Sequence, residues 1–262
     1  MHEILRHLPK GARVLDLGSG SGSFEASRYP IVTLRADLDT PRTAVANFVQ
    51  CDAAKLPFAT GAFSAVISNH SLEHFSDLGS SLREIGRVIR PGGSLYVAVP
   101  DSSTITDRIY RWLGKGGGHV NPFTSSERLI AAIERATGLP YVATRSLCTS
   151  LSFLNRRNSG PWPRKKLLLG GGTEGSLRLL TYIFRLLDRW FGTHTSIYGW
   201  AFYFGTVQET IDSRAWTNVC VRCGAGHSAA SLISNGRVMR SLVLLRCYDC
   251  PNCRARNLFT RD

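Results

Sequence analysis

Two groups of residues have types and spacings that could do chemistry. The first is the run Asp16-x-Gly18-x-Gly20-x-Gly22, which follows the apolar residues Val14, Leu15 and Leu17. Glycines at alternate positions let backbone approach a ligand closely and turn N–H groups toward it, so the natural guest is nucleotide-like. A G-x-G-x-x-G fingerprint would need its third small residue at Ser23. The chain instead has Gly22 and an acid two positions before the first glycine, which argues against a dinucleotide. The second group lies in the tail, where Cys220-x-x-Cys223 is followed by Cys247-x-x-Cys250-x-x-Cys253, five of the seven cysteines. Two C-x-x-C knuckles at this separation let two hairpin turns each present two thiolates to one tetrahedral ion. Cys247 with Cys250 competes with Cys250 and Cys253 for the second knuckle, His227 is a further ligand candidate, and a disulfide is the alternative.

These residues need strands to carry them. Val14 to Leu17 suit a buried first strand, with a helix expected to start after Gly22. Ile31-Val-Thr-Leu-Arg-Ala-Asp37 suits a second strand, a third ends before Cys51-Asp52-Ala53, and residues 63–67 suit a fourth. A helix and the turn Arg87-Val-Ile-Arg-Pro-Gly-Gly93 then lead into a fifth strand ending near Val99. Thr124 or Ser125 can cap a helix over 126–137 that Gly138 stops, and strands follow at 141–148 and 198–207. Alternating strands and helices predict a parallel sheet, and Asp16, Asp37 and Asp52 fall at strand ends, where such sheets seat ligands.

Residues 152–196 form an insertion with a basic stretch at 161–166, glycines 170–172 and a helix over 176–191. On that helix Arg178, Thr181, Arg185, Asp188 and Arg189 share a polar stripe, with Leu179, Leu180, Ile183, Leu187 and Trp190 opposite. An amphipathic cap over a substrate pocket is expected. Membrane-surface docking through the same apolar face is the alternative, a peripheral contact.

At 262 residues and 43% hydrophobic content, the chain can build one domain of about 200 residues with a small appendage. It has no apolar run of the roughly 18 residues a membrane span needs, and residues 1–10 lack a signal-peptide core, so the expected location is cytoplasmic. Net charge is +13, of which +10 falls after residue 150. That excess suits an anionic partner such as RNA, a phosphorylated or nucleotide-linked substrate, or a membrane surface, although dispersed charge also serves ordinary solvation.

From residue 14 to about 139 these stretches, in this order, resemble class I S-adenosylmethionine-dependent methyltransferases. The resemblance implies a Rossmann-like, mostly parallel seven-stranded sheet with an antiparallel last strand over residues 1–209. Residues 210–262 resemble a zinc ribbon, since Cys250-Pro-Asn-Cys253 is similar to its Cys-Pro-x-Cys knuckle. It implies S-adenosyl-L-methionine held by Asp16, Gly18, Gly20 and Gly22, with Asp37 on the ribose and Asp39 as rival. Asp52 and the Ala53 N–H would hold the adenine, and Asn69 would border the reaction pocket. Ser64 departs from the family, which commonly has an acid there. The implied reaction is in-line displacement of the sulfonium methyl by an acceptor. A base is needed only where the nucleophile carries a proton; His70 and His119 are the candidates, while His74 is expected to support the pocket from beneath. Zn(2+) on Cys220, Cys223, Cys250 and Cys253 would be structural. The expected acceptor is a small molecule, sugar- or lipid-linked; RNA gripped by the basic ribbon, or cofactor binding without catalysis, are the alternatives.

Overall fold

The structure is a computed structural model that describes all residues except 21, 42–43, 114–117, 159–171, 242–244 and 262. The basic stretch 161–166, Gly170, Gly171 and most of the glycine run before His119 lie outside the described residues. After a short helix α1 (His2–Leu5), the strands β1 (Arg13–Leu17), β2 (Val32–Asp37), β3 (Phe48–Gln50) and β4 (Phe63–Asn69) follow. With β5 (Ile89–Pro100), β6 (Tyr141–Cys148) and β7 (Ile197–Gly205), they form one mixed sheet in the order β3-β2-β1-β4-β5-β7-β6. That is the architecture the resemblance implies. β1 pairs in parallel with β2 and β4, as do β2 with β3 and β4 with β5. As the central strand it is covered on both faces, which is why four consecutive residues, Val14 to Leu17, are buried and three are apolar.

Helices α2 (Leu78–Val88) and α4 (Ser126–Thr137) pack together, with α3 (Ile105–Leu113) between them in the chain. Asp77 caps α2 by accepting the Ser80 N–H, and Leu82, Ile85 and Val88 bury against the core with Leu95, Val97 and Phe202. Ser125 caps α4 and Gly138 ends it, as the sequence predicts. A methyl group on Gly86 would sit 2.6 Å from Thr137 Cα, so a helix-weakening residue is what allows this close approach.

Among the described residues no α-helix follows the glycine loop, where one is expected. Residues between the loop and β2 form only the 3-10 turn Ala26–Arg28. The segment is short and closes on Pro30, so it cannot offset the cost of nucleating a helix and still return the chain to the sheet. Among the described residues no α-helix stands between β2 and β3 or between β3 and β4 either.

The chain divides into two compact units. The first comprises Met1–Asp101, His119–Arg145 and Trp200–Ser213. Within it, Arg145, 5% exposed, donates from Nη1 to Glu3 Oε1 at 2.7 Å and to Tyr203 Oη at 3.2 Å, and from Nε to Asp212 O at 2.7 Å.

The second unit gathers Ser102–Gly118, Ser146–Gly199 and Arg214–Asp262. Helix α5 (Glu174–Phe191) is capped by Thr173 and ended by left-handed Gly192. Leu177 packs with Leu151, Leu154 and Val221, and Glu174 forms a two-pronged ion pair with Arg222 at 2.7 and 2.9 Å. An amphipathic helix ordinarily buries its apolar stripe. α5 does largely the reverse: Thr181 and Arg185 of the polar stripe are buried, while Leu179, Ile183 and Trp190 are exposed. The reason is that the tail offers backbone carbonyls, and Arg185 reaches Val219 O at 3.4 Å and Leu258 O at 3.5 Å. No described helix is long and apolar enough to cross a membrane.

Candidate cofactor site and cysteine cluster

The glycine loop is tied to both neighbours of β1. The Gly18 and Ser19 N–H groups donate to Ala36 O at 2.8 and 3.3 Å, and Gly20 N–H donates to Asp37 Oδ2 at 2.7 Å. Gly18 has φ +67°, and a Cβ there would fall 2.2 Å from Ser71 Cβ. Ser71 is itself fixed, since its hydroxyl donates to Leu17 O at 3.0 Å and pairs with Ser68 Oγ at 2.6 Å. Gly20, at φ +49°, differs: a Cβ there would meet nothing within 4 Å, so this residue faces open space.

Asp16 is fully buried beneath the loop. Its Oδ2 accepts the Ser23 N–H at 2.9 Å and lies 3.9 Å from Arg35 Nε, while Oδ1 has no partner. Burial pushes its pKa up, against the opposing pull of Ser23 and Arg35. Asp37 ends β2, and its Oδ1 accepts the Asp39 N–H at 3.2 Å, so Asp39 meets it through backbone. Asp52 is exposed just beyond β3 and accepts the Ala54 N–H at 2.9 Å; Ala53 is buried and Asn69 ends β4. The sheet thus brings Asp16, Gly18, Gly20, Gly22, Asp37, Asp52, Ala53 and Asn69 to the carboxyl ends of adjacent parallel strands. An orphaned, buried carboxylate oxygen beside an open backbone cradle fits a ligand with an ammonium group and ribose hydroxyls, which describes S-adenosylmethionine.

The three histidines converge next to this cradle. His70 has φ +56°, donates its N–H to Ala98 O at 2.9 Å, and holds Nδ1 3.8 Å from Glu73 Oε1. Burial, with the charges of His119 and His74, pushes its pKa down to about 4. Val120 and Asn121 N–H groups donate to Glu73 O at 2.8 and 3.0 Å. The Asn121 side chain adds bonds to Leu72 O at 3.0 Å and Phe75 O at 2.7 Å. This clip sets the His119 ring 5.0 Å from that of His74. Ligand atoms of Glu73, His74 and His119 lie within 4.8 Å of one another, close enough to share a cation. Sequence reasoning overlooked Glu73 and Asn121. Only burial and the clip reveal them.

In the tail, β8 (Asn218–Val219) pairs with β9 (Gly226–His227), and α6 (Ala229–Ser234) precedes a three-stranded sheet. Its strands are β10 (Val238–Ser241), β11 (Leu245–Asp249) and β12 (Arg256–Leu258). Cys220, Cys223, Cys250 and Cys253 place their sulfurs within 4.8 Å of one another, with Cys220–Cys253 at 3.5 Å and Cys223–Cys250 at 3.7 Å. A tetrahedral Zn–S₄ centre with bonds near 2.3 Å has sulfurs about 3.8 Å apart, so the set fits such an ion. Cys247 sits in β11 opposite Met239 and Leu258, outside the cluster, and His227 Nε2 lies 3.4 Å from Cys250 Sγ. The two knuckles repeat one hydrogen-bond pattern. Gly224 N–H reaches Cys220 O and Arg254 N–H reaches Cys250 O, both at 2.9 Å. Hydrogen bonds from Cys223 and Cys250 hold the Cys220 thiol well below its ordinary range. No cysteine is in a disulfide.

Comparison with known proteins agrees with this geometry. Residues 15–97 match the family described as "Methyltransferase domain". The ubiquinone/menaquinone biosynthesis C-methyltransferase UbiE of Haemophilus ducreyi is 33% identical over 106 residues, 34% of this chain and 41% of its own length. The malonyl-(acyl-carrier protein) O-methyltransferase of Pseudescherichia vulneris is 30% identical over 139 residues, 48% of this chain and 55% of its own. The chain thus spans about half or less of the length of these curated relatives. A SAM-dependent methyltransferase from Archaeoglobus fulgidus shares the fold with a TM-score of 0.52 at 18% identity, over 78% of this chain and 88% of that one. The matched segment runs from β1 into β5 and contains the loop, the strand-end acids and Asn69, so over these residues the chain carries a domain similar to the class I S-adenosylmethionine-dependent methyltransferases.

Proposed function

We propose that the chain transfers a methyl group to a small-molecule acceptor, sugar- or lipid-linked, by in-line displacement. The observation that carries this reading is the buried, unpartnered Asp16 Oδ1 beside the open face of Gly20. When bound, S-adenosylmethionine supplies an electrophilic methyl on sulfonium. Asp16 would take its ammonium, Asp37 its ribose hydroxyls, and Asp52 with the Ala53 N–H its adenine edge. His70, neutral at ordinary pH, and His119 would take the proton where the nucleophile carries one. Holding two reacting centres in line is worth up to about 7–11 kcal/mol of barrier, so alignment carries much of the rate. Zinc on the four cysteines acts structurally, because a closed four-thiolate set leaves no open position.

Gly20→Val is the direct test. Its Cβ would enter the open face without meeting protein, while the left-handed φ of +49° strains the loop locally, so circular dichroism should show the sheet folded while calorimetry shows cofactor affinity at least about 100-fold weaker. Unchanged affinity would sink the placement. The exposed stripe of Leu179, Ile183 and Trp190 favours an acceptor presented at a lipid surface. The basic tail favours RNA instead, and salt-sensitive retention of bulk RNA separates the two. Transfer of labelled methyl to an extract separates both from a binding protein without catalysis.

A further inference from the structure

Beyond the cofactor residues and the cysteines, one more set of side chains has the makeup of a metal centre. Glu73, His74 and His119, all in the first unit, offer one carboxylate oxygen and two ring nitrogens within 4.8 Å of one another. Two imidazoles and a carboxylate form a singly negative donor set that suits a divalent cation of the zinc, cobalt, nickel or manganese kind, whereas magnesium and calcium prefer oxygen alone. Ligands bonded to one such ion at about 2.1 Å stand roughly 3.0 to 3.4 Å apart in octahedral or tetrahedral geometry, so even the widest separation in the set closes by less than about 2 Å. Glu73 is 2% exposed, while His74 is exposed and His119 partly so. A buried carboxylate, for which little water competes, thus stands with imidazoles that an ion in solution can reach.

The backbone holds these donors in place. Glu73 and His74 sit on the 3-10 turn Leu72–His74, which the His74 and Phe75 N–H groups tie to Ser71 O at 2.9 Å and Leu72 O at 3.3 Å. His119 comes from a distant loop, and the next two residues fasten that loop to the turn: Val120 and Asn121 through Glu73 O, and the Asn121 side chain through Leu72 O and Phe75 O. The glycine loop adjoins the same turn, since a Cβ on Gly18 would lie 2.2 Å from Ser71 Cβ and 3.6 Å from Phe75 Cε1, the residues on either side of it. We propose that Glu73, His74 and His119 bind a divalent transition cation beside the cofactor cradle. Three protein ligands leave positions open to water or a substrate, as in catalytic centres, whereas the four cysteines close theirs. His119 then serves as a ligand, leaving His70 as the proton acceptor. The site stands on its own donors and does not depend on methyl transfer.

The test is calorimetry with absorption spectroscopy on the full chain, first given one equivalent of Zn(2+), which the softer thiolates take, and then titrated with Co(2+). One further equivalent should bind, with the weak visible bands of nitrogen and oxygen ligation and without the intense thiolate-to-cobalt band. His74→Ala and His119→Ala should each weaken Co(2+) binding at least about 100-fold, since even residues that only orient metal ligands are worth about 10- to 100-fold. Neither side chain is buried, so circular dichroism should show both variants folded, and His194→Ala, the loss of an exposed histidine, should leave the affinity unchanged. Mg(2+) in about tenfold excess should not displace the Co(2+). Absence of a further equivalent, a thiolate band in the added signal, or binding that either variant leaves intact overturns the site; displacement by Mg(2+) overturns the choice of cation. The titration contains no methyl donor. A chain that binds Co(2+) but not S-adenosylmethionine therefore keeps this site and loses the methyltransferase reading, and the converse result separates the two failures the other way.

Discussion

Treatment with a strong chelator is expected to unfold the tail while the sheet stays folded. Structural zinc contributes about 10–16 kcal/mol of apparent binding energy in small knuckle domains, as much as or more than the roughly 5–15 kcal/mol that stabilises a whole protein. The core around Cys220 and Cys250 is small, with Leu232, Tyr248, Ala255 and Phe259 as its main apolar members. Without an ion, four thiols must share that space and the two knuckles lose their common anchor. Amide exchange should therefore lose protection over residues 246–259 and in the amino-terminal half of α5, which Glu174 ties to Arg222. Strands β1, β4 and β5 should stay protected, and added Zn(2+) should restore the pattern. Cys220→Ser should reproduce the loss in untreated protein. Cys247→Ala, outside the cluster, should cost no more than an ordinary buried truncation. Unaltered exchange in chelator would show that hydrogen-bonded thiols alone hold the knuckles.

Arg145→Ala is expected to cost about 3–5 kcal/mol, because it takes from the buried Glu3 carboxylate its side-chain counter-charge and leaves only the Met1 amino group, 3.0 Å away, facing it. Side-chain exposures of 6% for Arg145 and 4% for Glu3 make this a desolvated pair, unlike the surface pairs elsewhere. At about 2–4 °C per kcal/mol, thermal melting should fall by roughly 6–20 °C. The double change Glu3→Leu with Arg145→Met should recover part of the loss, since it removes both side-chain charges although the Met1 amino group loses its carboxylate partner. Burial works against the Glu3 charge, but the neighbouring amino group and Arg145 outweigh it and hold the carboxyl below its ordinary 4.5. A depressed carboxylate stabilises the fold fully above that value and progressively less below it. The wild-type melting temperature should thus drop as pH falls beneath about 4.5, and the double variant should show a smaller drop.

Much of the cofactor side was legible because its signals are local. Three alternating glycines after an apolar strand, acids at strand ends, and a serine cap followed by a glycine stop each report on backbone within a few residues. The knuckles were legible for the same reason. What the sequence concealed is set by distant partners. The helix expected after Gly22 fails because the return to β2 leaves too little chain. The stripe on α5 misleads because periodicity says that a helix has two faces, not which one its neighbour wants. Here the neighbour offers carbonyls, so Arg185 goes in and Trp190 stays out. Glu73 looked like any charged residue between two histidines until Val120 and Asn121 closed over it.

The inward-facing arginine of α5 also bears on biosynthesis. Arg185 leaves the ribosome 34 residues ahead of Val219 and 73 ahead of Leu258, the two residues whose carbonyls receive it. At about 5–20 residues per second, that is a wait of roughly 2 to 15 s during which a nascent helix with an oily flank has no docking partner. A chaperone binding site, or a translational pause placed after the last knuckle, would matter more for this segment than for the early strands.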